Sequence, residues 1–152
     1  MAIRYVLHTD GGARGNPGPA AIGFVIEGSN IEKKEVSEYI GETTNNDAEY
    51  QAVIRGLKKL KSLIGGDKAG AATVTVVMDS ELVVKQMNKE YKIKNGTLQD
   101  LFVELWNLCL DFGTVEFKHV RREKNAGAEA VRYVWVQGRI PPHHFHGISF
   151  DR

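Results

Sequence analysis

Three acidic residues lie where an acidic side chain has no obvious structural role. Asp10 follows an apolar alternation near the start of the chain and precedes the glycine-rich stretch GGARGNPGP. Asp79 ends the apolar run ATVTVVMD, and Glu49 falls on the apolar face of a predicted helix. A carboxylate that faces a protein core costs free energy unless a cation or hydrogen-bond donors compensate it. The three residues therefore predict a shared cation site at the ends of core elements.

Each of these residues also has an ordinary structural interpretation. Aspartate is common at strand ends as a turn former, and Asp79 precedes Ser80, where it could cap the next helix. For any one residue, the structural interpretation is at least as good as the catalytic one. The functional hypothesis therefore rests on the set, and it requires a fold that brings the three carboxylates together.

The first elements of the chain that could position these side chains are three predicted strands. Apolar patterning predicts strands over residues 3–10, 20–28 and 32–41, and the charges of the third strand suit an exposed edge. The short links between them favour an antiparallel meander. The stretch GGARGNPGP is predicted as a turn because it is dense in glycine and proline.

Helices and strands alternate in the rest of the chain. Thr44 to Asn46 supply capping residues for a helix whose apolar stripe runs to Ile64, and GGDKAGAA after it is predicted as a loop. The later elements are a strand over residues 72–79, helices over 80–89 and 98–109, a strand over 114–120, and a helix over 126–136. This order predicts an α/β fold in which helices flank one mixed sheet.

The composition sets bounds on the function. A chain of 152 residues with 42% apolar and 26% charged residues suits one globular domain. The net charge of +1 means that any attraction to phosphate must come from a local patch. No apolar run approaches the ~20 residues of a membrane helix, no secretory signal is recognisable, and Cys109 is the single cysteine. We therefore expect a monomeric cytoplasmic protein without membrane contact, with a domain over residues 1–137 and a tail over 138–152 that packs or stays loose.

The motifs around the acidic residues are similar to a known family. The segments TDGGARGNPGPAAIG, TTNNDAEYQAVIRGL and DSELVVKQMN resemble, in order and spacing, the first three motifs of type 1 ribonuclease H. The segment HVRREKNAGAE resembles the fourth motif, with Glu129 where the family usually has aspartate. The resemblance covers residues 3 to 130 and is to the short form that lacks a basic protrusion. It implies the ribonuclease H-like fold, with three antiparallel strands followed by two parallel ones in a five-stranded sheet.

The resemblance implies a metal-dependent endonuclease that hydrolyses the RNA strand of RNA–DNA hybrids and leaves 5′-phosphate and 3′-hydroxyl ends. Two Mg²⁺ ions, with Mn²⁺ as a substitute, would activate water and stabilise the leaving oxygen. Asp10 would bridge both ions, Glu49 and Asp79 would complete the site of one, and Glu129 would serve the other. The alternative for Glu129 is an ordinary acid in the first turn of a helix. The loop before Glu129 lacks the family's usual histidine, and Arg121, Arg122 or Glu123 is a hypothetical partial replacement.

The resemblance also implies residues that bind the hybrid. They comprise backbone groups near the 2′-hydroxyls, asparagines at the minor groove, a pocket for a DNA phosphate, and basic side chains for further phosphates. In chain order these residues are Gly11, Gly12, Ala13, Asn16, Thr44, Asn45, Asn46, Lys92, Asn95 and Arg122. The alternative for the asparagines is structural, because asparagine favours turns and caps.

Two other functions stay open on the sequence. The first is a hybrid-binding module of the same fold with a weakened site, because Glu129 and the absent loop histidine depart from the family pattern. The second is another nuclease of the wider superfamily, such as a junction resolvase or an integrase core. The TTNN motif before Glu49 and the compact length argue against the second.

Overall fold

A five-stranded sheet forms the centre of the protein in the structure, a computed structural model that describes residues 3–137. The strand order across the sheet is β3-β2-β1-β4-β5. A single 3₁₀ turn precedes the last helix. The elements in chain order are β1 (Arg4–Ala13), β2 (Gly18–Gly28), β3 (Lys34–Thr43), α1 (Asn45–Ile64), α2 (Gly66–Ala71), β4 (Thr73–Met78), α3 (Glu81–Met87), α4 (Gly96–Cys109), β5 (Thr114–His119), the 3₁₀ turn (Arg122–Lys124) and α5 (Ala126–Gln137).

The pairing of the strands confirms the predicted mixed sheet. Strand β2 pairs antiparallel with both β1 and β3, whereas β4 pairs parallel with both β1 and β5. The register sets Thr9 of β1 beside Met78 of β4. Because parallel strands run to the same edge of a sheet, the residues that follow this pair, Asp10 and Asp79, lie next to each other.

Strand alternation directs apolar side chains into a core beneath α1 and α4. Leu7 of β1 pairs in register with Ile26 of β2 and Val76 of β4, and all three side chains are fully buried. Helix α1 contributes a buried stripe that includes Leu57 and Leu60. On the opposite face of the sheet, α5 packs on β1, β2 and β3. Asp10 and Asp79 therefore lie between α1 on one face of the sheet and the beginning of α5 on the other.

The glycine-rich segment after Asp10 is more regular than its composition predicts. The predicted turn GGARGNPGP is largely strand, because β1 continues to Ala13 and β2 already begins at Gly18. Gly12 pairs with Ala21, and Ala13 pairs with Ala20. Hydrogen bonding between neighbouring strands outweighs the low strand propensity of glycine here.

The segment GGDKAGAA, predicted as a loop, contains the short helix α2. Gly65 adopts a positive φ of 87°, which favours glycine, and ends α1 there. The chain then forms one further helical segment whose Ala69 side chain is fully buried. The loop prediction was wrong, because the buried Ala69 side chain anchors a helical segment whose other residues are exposed and whose glycines have low helix propensity. The predicted last helix is confirmed as α5.

Among residues 3–137, no helix combines the length and the apolar character that a membrane crossing requires. The predicted tail, residues 138–152, lies outside the described residues. The division of the chain into a domain and a tail therefore stays a prediction.

Candidate active site

Three carboxylates from three separate elements meet where the parallel pairing of the inner strands β1 and β4 ends. Asp10 lies in β1, Asp79 directly follows β4, and Glu49 lies in α1. One carboxylate oxygen from each residue lies within 4.8 Å of those of the other two. This spacing places the oxygens close enough to share a cation, as the sequence predicts for this set.

In the carboxylate cluster, defined as Asp10, Glu49 and Asp79, the first two acids are buried with few hydrogen-bond donors, whereas Asp79 accepts a hydrogen bond from Arg122. The exposed fractions of Asp10 and Glu49 are 1% and 9%. Within the described part of the chain, three of their oxygens accept no hydrogen bond: Oδ1 and Oδ2 of Asp10 and Oε2 of Glu49. Buried carboxylates without donors are strongly unfavourable as free anions. Their hard oxygen atoms therefore fit a divalent cation such as Mg²⁺.

Burial and mutual repulsion shift the acidity of the cluster. Burial first, and then the charge of Asp79, raise the pKa of Asp10 to about 6, although the Arg122 charge opposes this shift. Burial first, and then the charges of Asp10 and Asp79, raise the pKa of Glu49 well above its usual value. A backbone N–H of Gly11 opposes that shift. Each shift reflects the cost of the charged form without a cation, which a bound metal ion would reverse.

Gly11 allows α1 to approach β1 closely enough for Glu49 to join the cluster. A Cβ atom at Gly11 would lie 2.2 Å from the carbonyl oxygen of Ala48. No side chain fits at that distance, so glycine is a packing requirement here. Gly11 was predicted as a backbone contact for substrate, and the structure also gives it a role in placing the carboxylate.

Asn125, outside the predicted site residues, anchors the fourth motif to the first. It is 3% exposed, its Nδ2 donates to the carbonyl oxygen of Thr9 at 2.8 Å, and its Oδ1 accepts from the Gly127 amide at 3.0 Å. A Cβ at Gly127 would lie 2.7 Å from the backbone carbon of Thr9. The asparagine and glycine of the NAGAE motif are the sequence signal that indicates this contact.

Glu129 lies outside the carboxylate cluster. Its side chain is exposed in the first turn of α5, and it lines a groove of about 760 Å³ together with Arg122, Lys124 and Arg132. Among the described residues, the group able to share one cation consists of the other three carboxylates. The service of Glu129 to a metal ion stays a prediction.

Arg122 contacts the cluster directly. Its Nη2 lies 3.3 Å from Oδ2 of Asp10, and its Nη1 lies 3.2 Å from Oδ2 of Asp79. The Arg122 side chain itself is 64% exposed, so the guanidinium reaches inward from a solvated loop. The sequence indicated Arg122 as a substrate contact but not as a partner of the acidic residues.

Two of the predicted asparagines connect the β1–β2 turn to the beginning of α1. Oδ1 of Asn45 accepts from the Ala13 amide at 2.7 Å. Oδ1 of Asn16 accepts from the Asn45 amide at 3.0 Å. These hydrogen bonds give both asparagines a structural role. Both side chains are also exposed, so they remain accessible to a nucleic acid.

The two residues predicted for the phosphate pocket are helix N-caps. Oγ1 of Thr44 accepts from the Asp47 amide at the start of α1, at 3.2 Å. Oδ1 of Asn95 accepts from the Leu98 amide at the start of α4, at 3.1 Å. Asn46 and Lys92 are exposed. Their proposed contacts with phosphate or sugar stay predictions.

Comparison with known proteins assigns the fold and the motifs to one family. Residues 8–131 match the family model described as Reverse transcriptase-like. The bifunctional protein Rv2228c of Mycobacterium tuberculosis is 37% identical over 84% of this chain and 34% of its own length. This chain therefore spans about a third of the length of that relative.

A second relative and one solved structure match over most of their lengths. The ribonuclease H of Sulfurovum sp. strain NBC37-1 is 36% identical over 76% of this chain and 74% of that protein. The crystal structure of LC11-RNase H1 in complex with an RNA/DNA hybrid superposes with a TM-score of 0.76. It is 46% identical and covers 84% of this chain and 94% of that one. This chain belongs to the ribonuclease H family.

Proposed function

We propose that the chain is a metal-dependent endonuclease that hydrolyses the RNA strand of RNA–DNA hybrids, leaving 5′-phosphate and 3′-hydroxyl ends. The observation that carries the proposal is the cluster of Asp10, Glu49 and Asp79, in which one carboxylate oxygen from each residue lies within 4.8 Å of the other two, and Asp10 and Glu49 are buried with few hydrogen-bond donors. The likeness to a ribonuclease H1 in complex with an RNA/DNA hybrid supports the choice of substrate.

The cluster is suited to hold Mg²⁺, with Mn²⁺ as a substitute. Two such ions, when bound, activate a water molecule and stabilise the leaving oxygen of a phosphodiester. Asp10, the most buried of the three carboxylates, would be the ligand common to both ions. Glu49 and Asp79 would complete the site of one ion, and Glu129 would serve the other. The close packing of Gly11 in β1 against the backbone of Ala48 and Glu49 in α1 positions Glu49 without an ion.

Recognition of the hybrid would use groups around the cluster. The backbone of Gly11 to Ala13 would face the 2′-hydroxyls of the RNA strand, which distinguish RNA from DNA. Asn16, Asn45 and Asn46 would contact sugars and base edges in the minor groove. Thr44 and Asn95 would hold a phosphate of the DNA strand, and Lys92 and Arg122 would contact further phosphates. The hydrogen bonds through Asn16 and Asn45 would hold this surface in place before the hybrid arrives.

A cleavage assay tests the proposal. End-labelled RNA–DNA hybrid, duplex DNA and duplex RNA are incubated with the protein and Mg²⁺, with Asp10→Asn as the control. We expect the RNA strand of the hybrid to be cut and the control to be inactive. Cutting of duplex DNA would instead support a nuclease of the wider superfamily. Absence of cleavage in both Mg²⁺ and Mn²⁺ would overturn the proposal.

One observation favours a second function, a hybrid-binding module with a weakened site. Glu129 is exposed and lies outside the carboxylate cluster. If that acid does not reach a metal ion, the site has three carboxylates in place of four. Tight binding of the hybrid without cleavage in the same assay would support the module.

The cellular setting is also a proposal. We propose that the protein acts as a monomer in the cytoplasm. The single Cys109 is half-buried and unpaired, which suits a reducing compartment. Sedimentation of the purified protein tests the monomer, and fractionation of cells tests the location.

A further inference from the structure

Arg122 places a positive charge where the carboxylate cluster would bind a metal ion. Its two terminal nitrogens contact Asp10 and Asp79 separately, at 3.3 and 3.2 Å. Asp10 lies in β1 and Asp79 directly follows β4, and their side chains are only 1% and 10% exposed. One guanidinium therefore spans the mouth of the cluster.

We propose that Arg122 is an internal counter-cation of the metal-free site and that it competes with Mg²⁺ for Asp10 and Asp79. The inference rests on the proposed metal site, although it does not depend on cleavage. Arg122 is a positioning residue in this role, because it acts on the carboxylates and not on the reacting atoms.

The competition follows from charge and distance. Mg²⁺ binds carboxylate oxygens at about 2.0–2.1 Å, so an ion on Asp10 and Asp79 would occupy the space beside the oxygens that the guanidinium contacts. Two cations at such separation repel each other, and the repulsion is weakly screened at a mostly buried site. Arginine stays charged at every accessible pH, so it cannot yield by losing a proton. It must therefore move aside for the ion to bind.

The position of Arg122 in the chain makes this movement easy. The residue begins the 3₁₀ turn Arg122–Lys124, and its side chain is 64% exposed. The cluster, in contrast, is set by β1, β4 and α1. The carboxylates can therefore remain in place while the guanidinium swings into solvent. The groove beside it, lined also by Glu123 and Glu129, offers room and opposite charge for the displaced side chain.

Binding of Mg²⁺ to the nucleic-acid-free protein tests the inference without any cleavage. Metal-free wild type and Arg122→Ala are titrated with Mg²⁺, and the dissociation constant is followed by backbone amide shifts. Removal of the guanidinium should tighten Mg²⁺ binding by about three- to tenfold, because the ion no longer has to displace a cation whose own side chain is mostly solvated. Lys124→Ala is the matched control, because Lys124 is exposed in the same turn and forms no ion pair within residues 3–137. We expect it to change the constant by less than about twofold.

Thermal unfolding provides a second readout. In chelator at pH 7, Arg122→Ala should lower Tm by about 2–4 °C, because the acids lose their counter-cation. In saturating Mg²⁺ the difference should vanish, since Arg122 no longer contacts the acids in either protein. An equal or weaker Mg²⁺ affinity in Arg122→Ala, or the same change in Lys124→Ala, overturns the inference while leaving the metal site intact. Failure of the wild type to bind Mg²⁺ or Mn²⁺ overturns the proposed function together with it.

Discussion

Asn125 and Thr9 are 116 residues apart in the chain, and a buried hydrogen bond of 2.8 Å joins them. The same side chain also accepts from the Gly127 amide. The side-chain amide of Asn125 therefore holds the beginning of α5 against β1, the strand that carries Asp10. This contact links the position of Glu129 to the position of the carboxylate cluster.

Asn125→Ala is expected to destabilise the protein and to lower its cleavage rate. The substitution removes the Asn125 hydrogen bonds to the Thr9 carbonyl and from the Gly127 amide, both buried, which costs about 1–3 kcal/mol. Urea denaturation measures this loss. Asn88→Ala is the control, because Asn88 donates a comparable bond to the Phe117 carbonyl oxygen at an exposed position, at 3.3 Å. Equal losses in the two variants would contradict a special role for Asn125.

Gly11→Ala is expected to damage the fold much more than the same change at the next residue. The new Cβ would lie 2.2 Å from the Ala48 carbonyl oxygen, so α1 must move away from β1. Such overpacking costs about 3 kcal/mol. At Gly12 the nearest atom to a Cβ is Oδ1 of Asn45 at 3.9 Å, so Gly12→Ala should cost less than about 1 kcal/mol. Urea denaturation of both variants compares them, and equal losses would show that the close approach does not constrain the fold.

The meeting of Asp10 and Asp79 could be predicted from the sequence because each follows an apolar strand. Once β1 and β4 pair in parallel, the register from Thr9 to Met78 places the next residues together. Glu49 could be predicted from its place on the apolar stripe of a helix. Periodicity predicts these strands and this helix, whereas the parallel pairing of β1 with β4 is what the resemblance to ribonuclease H implies.

Other features depend on distances that periodicity does not encode. The contact of Arg122 with the cluster depends on the path of a short 3₁₀ turn, and α2 forms where composition indicates a loop. The bond between Asn125 and Thr9 joins opposite ends of the domain. Glu129 falls in the predicted helix, but its side chain is exposed and lies outside the carboxylate cluster. The position of a residue in a helix does not by itself show whether its side chain reaches a site formed by other elements.

The raised pKa of Asp10 predicts that Asp10→Asn stabilises the metal-free protein at pH 7. The folded-state pKa is about 6 against an unfolded value of 3.8. Burial and the Asp79 charge therefore penalise the ionised carboxylate, and the folded state loses stability as the pH rises from about 4 through 6. A neutral asparagine avoids this loss. We expect a gain of about 1–3 kcal/mol in the free energy of unfolding at pH 7.

Urea denaturation in chelator at pH 7 and pH 5 measures the effect of Asp10→Asn. The advantage over wild type should shrink at pH 5, where the wild-type Asp10 is mostly protonated in the folded state. Asp100→Asn, on the exposed surface of α4, should leave stability unchanged at both pH values. A destabilised Asp10→Asn at pH 7 would contradict a net penalty on the ionised Asp10 and would show that Arg122 already compensates its charge.

Glu129→Gln is expected to lower kcat by at least about tenfold in Mg²⁺, if the exposed carboxylate turns toward an ion during turnover. Glutamine preserves the size of the side chain but removes the charge that a metal ion requires. Glu129→Asp, which restores the residue usual in the family pattern, should keep kcat within about tenfold of wild type. Steady-state cleavage of a labelled hybrid at saturating concentration measures kcat for both variants.

The control for this experiment is Glu123→Gln. Glu123 is exposed and lines the same groove, so it tests whether any negative charge near Glu129 has the same effect. We expect it to leave the rate within about twofold, because Glu123 lies in the 3₁₀ turn before α5 and, unlike Glu129, has no proposed metal role. If Glu129→Gln also cleaves at the wild-type rate across Mg²⁺ concentrations, the fourth-ligand hypothesis is wrong. Asp10, Glu49 and Asp79 then suffice for catalysis, since they are the carboxylates whose oxygens already converge.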